Sequence, residues 1–170
     1  VNRIGEMIQR LDPVGRVLSV NNASGADPLR FASWASYSTL QGGPAEKGDD
    51  LPALHNFLFR NHTGDRPIYA HEVLWPGNSL HGDLTADQLR RKALVMLFAA
   101  AVINFADMNG DSSTGDSGTL DPAERHPERH AAVKSAWDFF AKVPFGRLRP
   151  TWDVVKRGVC LADEGHEYWV

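Results

Sequence analysis

Two short apolar runs, Ile68–Trp75 and Val102–Ala106, flank an amphipathic stretch, and no other feature constrains this chain as much. The stretch opens with Thr85 and Gln88 in the T-x-x-Q spacing of a helix capping box. It then carries Leu89, Ala93, Met96, Leu97 and Ala100 at helical intervals, so one face is apolar. A strand, a helix and a strand in that order pair in parallel through a crossover, which excludes an all-helical or hairpin-built domain here.

The same alternation extends in both directions. Ile4, Met7, Ile8 and Leu11 form a helical stripe that stops before Pro13, and Arg16–Val20 reads as a strand. Phe31–Leu40 reads as another, followed by a Gly-rich loop over 41–49. Asp50 caps a helix bearing Leu51, Leu54 and Leu58 that ends by His62–Gly64. Residues 107–121 are almost all Gly, Ser, Asp, Asn and Thr, a loop long enough to suggest a role of its own. Val133, Ala136, Trp137 and Phe140 mark a further helix. Beyond Pro144, Val154–Leu161 and His166–Val170 read as a hairpin around an Asp-Glu-Gly turn.

The fold class is therefore α/β. Four strand–helix steps make half of an eight-stranded barrel, and an isolated half would leave two long strand edges in water. That favours a part of a larger protein, or an assembly, over a complete small domain.

The totals remove several functional classes. At 170 residues the chain is long enough for a sizeable core, and 42% hydrophobic with 23% charged residues is an ordinary globular balance. A net charge of −3 with scattered basic residues gives no field for nucleic acid. The longest apolar run, 93–103, is too short to span a bilayer. Cys160 is alone, which excludes an internal disulfide and a cysteine metal cage. The N-terminus shows no signal-peptide pattern.

Four segments in order carry a resemblance: LDPVGRVLSV (11–20), DRPIYAHEVLWPG (65–77), LRRKALVMLFAAAVINFADMNG (89–110) and DFFAKVPFGRLRPTWDVVKRGVCLADEGHEYWV (138–170). Together they resemble the later half of the apiosidase-like glycoside hydrolases, which are (β/α)8 barrels followed by a small β-sandwich of collagen-binding type. The resemblance implies that residues 1–143 form the second half of the TIM barrel. Strands five to eight would be Arg16–Val20, Trp34–Leu40, Ile68–Trp75 and Val102–Ala106. Residues 144–170 would be a linker and the first hairpin of the sandwich. It implies hydrolysis of a plant-type or branched polysaccharide or oligosaccharide, a secreted or periplasmic setting, and no cofactor. Glu72, at the end of the seventh strand, takes the nucleophile's position on that mapping. The general acid would belong to the fourth strand, upstream of Val1, so the chain alone would have little activity.

Glycoside cleavage needs two carboxyl groups, about 5–5.5 Å apart in retaining enzymes. Glu72 supplies one, with His71 and Asn78 as nearby hydrogen-bond donors. Strand alternation puts Ile68, Ala70 and Glu72 on one face, expected to be the barrel mouth. Asn104 and Asp107 end the eighth strand and can contact sugar hydroxyls, orient Glu72 or simply start a loop. Trp75 can stack on a sugar or pack on the next helix. Asn21, Asn22 and Gln41 suit sugar hydroxyls as well as plain loop polarity, and Tyr37 suits the barrel wall.

Metal sites are not expected. The 107–118 stretch resembles a calcium loop only at its start, with Ser112 and Gly118 where glycine and glutamate belong. His126 and His130 are four apart without a third ligand or a catalytic glutamate between them. A different reading of the whole is a non-catalytic carbohydrate-binding or interaction module built on the 107–121 loop and the aromatics. A metal-dependent hydrolase using Asp107, Asp111 and Asp116 is a third.

Overall fold

The computed structural model describes residues 1–22, 25, 27–43, 50–63, 66–77, 82–106 and 126–170. Helix α1 (Asn2–Leu11) leads into strand β1 (Ser38–Gln41), helix α2 (Leu51–Arg60) and strand β2 (Ile68–Leu74). Helix α3 (Ala86–Phe98), strand β3 (Ala101–Phe105) and helix α4 (Pro127–Phe140) follow. Strands β4 (Arg149–Thr151), β5 (Cys160–Asp163) and β6 (Glu167–Trp169) end the chain.

Local chemistry sets most of these boundaries. The Asp50 side chain accepts from the Ala53 amide, with Pro52 in the first turn of α2. Thr85 and Gln88 form the expected reciprocal capping box on α3. Helix α3 stops because Ala100 turns left-handed, at φ 54°, in a place where glycine is usual. Ala100 is therefore a turn residue joining α3 to β3, not part of the helical face that its spacing suggested.

The first sheet is parallel in the order β1-β2-β3, as the strand–helix alternation requires. One of its faces is packed. Leu40, Ile68, Ala70, Val73, Leu74, Ala101 and Ile103 meet Leu54 and Leu58 of α2, Leu89, Ala93, Met96 and Leu97 of α3, and Val133, Ala136 and Phe140 of α4. The other face carries Tyr37, Tyr69, His71 and Val102, and at the starting end of the strands it is hollowed by a cavity of about 490 Å³. Tyr69 sits edge-on to Tyr37 at 6.3 Å and stacks on His71 at 5.5 Å.

Three elements differ from their sequence expectations. Arg16–Val20 runs beside β1 but forms no ladder. Main-chain pairing is reduced to Ser36 N–H on the Leu18 carbonyl, while the Ser36 and Ser19 hydroxyls bond Leu18 N–H, the Tyr37 carbonyl and the Thr39 hydroxyl. Phe31–Ala35 does not extend β1, because Trp34 turns under α1, where its Nε1–H donates to Asn2 at 2.6 Å. At the C-terminus Val154–Val159 is not strand, and β4 adds a third strand, giving an antiparallel sheet β4-β5-β6.

That small sheet is fastened by aromatic contacts. Trp152 lies edge-on to His55 at 4.6 Å and to Phe59 at 5.1 Å, and Trp169 lies edge-on to Phe139 at 5.7 Å. Leu148 and Leu161 extend the main core into it. Helix α1 behaves differently. Its stripe is real in sequence, yet Ile4, Met7, Ile8 and Leu11 are exposed, and only Gly5 is buried, flat against the Trp34 ring. Among the described residues no helix is long and apolar enough to cross a membrane.

Two outcomes follow from this packing. A Cβ on Gly5 would fall inside the Trp34 ring contact. Gly5→Ala should therefore lower stability in urea unfolding by about 1–2 kcal/mol net, overpacking exceeding the gain in helix propensity. Burial holds the pKa of both His55 and His62 below the ordinary 6.5, against the pull of the Phe98 and Ala99 carbonyls. The unfolded chain binds these protons more readily, so their contribution is complete above about pH 6.5 and is lost as pH falls below it. Melting temperature measured from pH 8 to pH 5 should drop through that range, and less so in His55→Phe.

Candidate functional site

At its carboxyl end β2 departs from regular pairing with β3. Ala70 pairs with Ile103 and Leu74 with Phe105, so His71, Glu72 and Val73 together face the single residue Asn104. Two extra residues must be absorbed there, and Glu72 absorbs them by adopting a left-handed backbone, φ 54°. For a residue with a Cβ that conformation costs about 1–3 kcal/mol. The Asn104 side chain compensates in part: its Oδ1 accepts the Glu72 amide N–H at 3.0 Å, a group the broken ladder would otherwise strand.

This irregularity corrects the expected facing of β2. Ile68 and Ala70 are fully packed under the helices, so simple alternation would bury Glu72 with them. The expansion turns Glu72 to the open face instead, the face of Tyr69 and His71. Both His71 and Glu72 side chains are 24% exposed there, with His71 Nε2 3.7 Å from Glu72 Oε1.

Neighbouring strands complete the arrangement. Gln41 is the register partner of His71, and its amide Nε2–H donates to Glu72 Oε2. Asn21, at the end of the extended 16–20 segment, places its Oδ1 3.3 Å from His71 Nδ1. Glu72 thus stands where four consecutive tracts of the chain end, and Gln41, His71 and Asn104 each touch it. None of these three is a carboxyl group.

The structure therefore brings together Asn21, Gln41, His71, Glu72 and Asn104 of the residues singled out from sequence. Trp75 is half-buried just beyond β2. Asn78 and Asp107 lie outside the described residues, as do Asp111, Asp116 and the whole 107–121 loop. Asn22 is structural: its amide donates to Asp27 Oδ1 at 2.9 Å and to the Thr39 carbonyl at 3.4 Å. Tyr37 lies on the open face beside Tyr69. His126 begins α4 and lies 3.6 Å from Glu128, while the His130 ring meets Phe105 edge-on at 4.9 Å. Among the described residues no group of three His, Cys, Asp or Glu side chains is placed to hold a metal.

Tyr69 was not singled out from sequence, yet it stacks on His71 and so fixes one wall of the site. Its signal was present, since it shares the period-two face of His71. The backbone expansion had no signal, because no glycine marks it.

The chain matches no protein-family profile, no curated protein and no solved structure.

The bond from Glu72 N–H to Asn104 is directly testable. Asn104→Ala should lower stability by about 1–2 kcal/mol through the stranded amide. It should also speed hydrogen exchange at the Glu72 N–H by about tenfold or more, whereas Asn104→Asp, which keeps an acceptor oxygen, should leave that amide protected.

Proposed function

We propose that this chain contributes the nucleophile half of a glycoside hydrolase site, with Glu72 as the attacking carboxylate. The observation that carries the reading is the strained expansion of β2. Backbone strain collects where a side chain must be delivered against the regular geometry of its strand, and here it delivers a carboxylate to the open face. The position is the carboxyl end of a parallel strand followed by a helix, where open and closed α/β sheets build their active sites. The amide of Gln41 donates to Oε2 and holds that carboxylate oxygen, while Oε1 lies on the side of His71, 3.7 Å from its Nε2.

In this reading the parallel sheet β1-β2-β3 with its helices, plus the extended 16–20 segment, is the second half of a (β/α)8 barrel. The antiparallel β4-β5-β6 sheet begins a β-sandwich. The resemblance to apiosidase-like glycoside hydrolases points the same way. Substrate contacts come from Asn21, Gln41, His71, Trp75 and Asn104, joined by Asn78 and Asp107. The acid that protonates the leaving oxygen comes from a fourth strand preceding Val1, as do the strands that close the barrel. The substrate is a branched or plant-type glycan, and no cofactor takes part. The competing binding-module reading draws on the 107–121 loop, which lies outside the described residues, and on the aromatics.

An experiment suited to a site with one carboxylate uses activated substrates. A dinitrophenyl leaving group departs without protonation, so a lone nucleophile still forms its covalent glycosyl intermediate. A panel of dinitrophenyl 2-deoxy-2-fluoroglycosides should release dinitrophenolate in a burst, and peptide mass spectrometry should place the sugar on Glu72. Glu72→Gln should cut the labelling rate by about a thousandfold or more, while binding of the parent sugar is kept. Absence of labelling across the panel, with glycan binding unaltered or absent in Glu72→Gln, overturns the reading.

A further inference from the structure

We infer that the chain binds a small organic oxyanion, a phosphate monoester or a carboxylate with a short apolar body, in a cavity between its two sheets. The cavity, about 220 Å³, lies at the starting ends of β2 and β3, away from Glu72. Three separate tracts of the chain build it. They are the α2–β2 connection with His62 and Arg66, the turn residue Ala100 ahead of β3, and the 145–149 segment leading into β4. Ligand sites collect at junctions of this kind, where two packed units leave a concave seam.

The composition of the lining selects the ligand. Two guanidinium groups, those of Arg66 and Arg149, line the cavity, and none of its described lining residues is acidic. Arg66 is anchored rather than neutralised. Its Nη1 donates to the Arg30 carbonyl at 2.9 Å, and the other N–H groups of its fork have no partner among the described residues. A carbonyl takes up one of five donors and leaves the charge in place, and the remaining edge of the fork matches two oxygens of a phosphate or carboxylate. Arg149 is oriented by carbonyls too, its Nη1 donating to Leu148 at 3.1 Å and to Gly146 at 3.3 Å. Its charge is felt across the cavity: burial lowers the His62 pKa, the Ala99 carbonyl raises it, and the Arg149 charge lowers it again. His62 gives its Nε2–H to that carbonyl at 2.7 Å, so near neutral pH it is an uncharged wall rather than a third cation.

The rest of the lining is apolar, with Pro67, Val102, Phe145 and Leu148 around the same space. Inorganic phosphate alone would leave that wall wet, whereas a ring or short chain attached to the oxyanion covers it. A cavity of about 150 Å³ admits benzene, so there is room for a small ring with an anionic head. The site makes no use of Glu72 and stands independently of the glycosidase reading.

The test is a titration followed through the His62 ring protons by NMR at pH 7.5 and constant ionic strength, with His62 assigned through His62→Gln. The probes are phenyl phosphate, benzoate, inorganic phosphate and phenol. Phenyl phosphate or benzoate should give a saturable shift at His62, about tenfold tighter or more than inorganic phosphate or phenol. Whichever of the two binds tighter tells a phosphate monoester from a carboxylate. Arg66→Gln should weaken that binding by about tenfold or more. Arg66 also supports the Arg30 carbonyl, so a second variant guards against a folding defect. A Cβ at Gly146 meets nothing within 4 Å, and Gly146→Asp adds a carboxylate to the lining of the cavity. It should lower affinity by a similar factor, with the melting temperature unchanged or raised. Absence of a saturable shift at His62 with both organic probes overturns the inference, as does binding that neither Arg66→Gln nor Gly146→Asp weakens. Inorganic phosphate or phenol binding as tightly as the organic probes also overturns it, because half of the lining would then be idle.

Discussion

The hydrogen bond from the Glu72 amide to the Asn104 side chain is the contact on which the site depends. Without an acceptor there, the two-residue expansion of β2 would leave a stranded backbone donor in addition to a strained φ. The regular alternative, with β2 and β3 in register, would send Glu72 under α3 among fully buried leucines. Burying an unpaired carboxylate costs far more than the strain does, so the side chain and the distortion enforce one another. Asn104 settles the balance because one amide, on the neighbouring strand, replaces the missing ladder bond.

Everything else on the open face is arranged by register. Gln41 reaches Glu72 because it pairs with His71, and His71 stacks on Tyr69 because both lie on the same side of β2. The packed face supplies the rigidity. Leucine-rich stripes of α2 and α3 fix β2 from behind, so the ends of the three strands are held in common register. The antiparallel C-terminal sheet is joined to this body through rings, Trp152 on His55 and Phe59, and Trp169 on Phe139. Burial lowers the pKa of His55 and of the half-buried His62 near that joint, so protonating them in acid works against the fold there.

Much of this was legible before any coordinates. The capping box at Thr85, the Asp50 cap and the leucine spacings identify α2 and α3 closely, since caps and 3.6-residue periodicity are local physics. The parallel pairing of β2 and β3 follows from one helix between two apolar runs. Less could be read where tertiary contacts compete with local pattern. The 16–20 segment has strand composition, but serine hydroxyls replace most of its ladder. The α1 stripe looks like a core face and is exposed, because the contact that seats the helix is Gly5 on Trp34. Glu72 was singled out, although period-two alternation assigned it to the same face as Ile68 and Ala70, and that assignment was wrong.

The sequence by itself determined the α/β class, the positions of the capped helices, and the gathering of polar residues at the ends of successive strands. Those are consequences of chain connectivity and of interactions within a few residues. Only the tertiary structure decided that His71 and Glu72 stand together, that Asn104 serves the backbone of Glu72, and that Tyr69 and Gln41 frame them. A strand expansion without glycine has no local signature, because its cost is met by an acceptor 32 residues away in sequence. Which face a carboxylate takes is then settled by that distant partner.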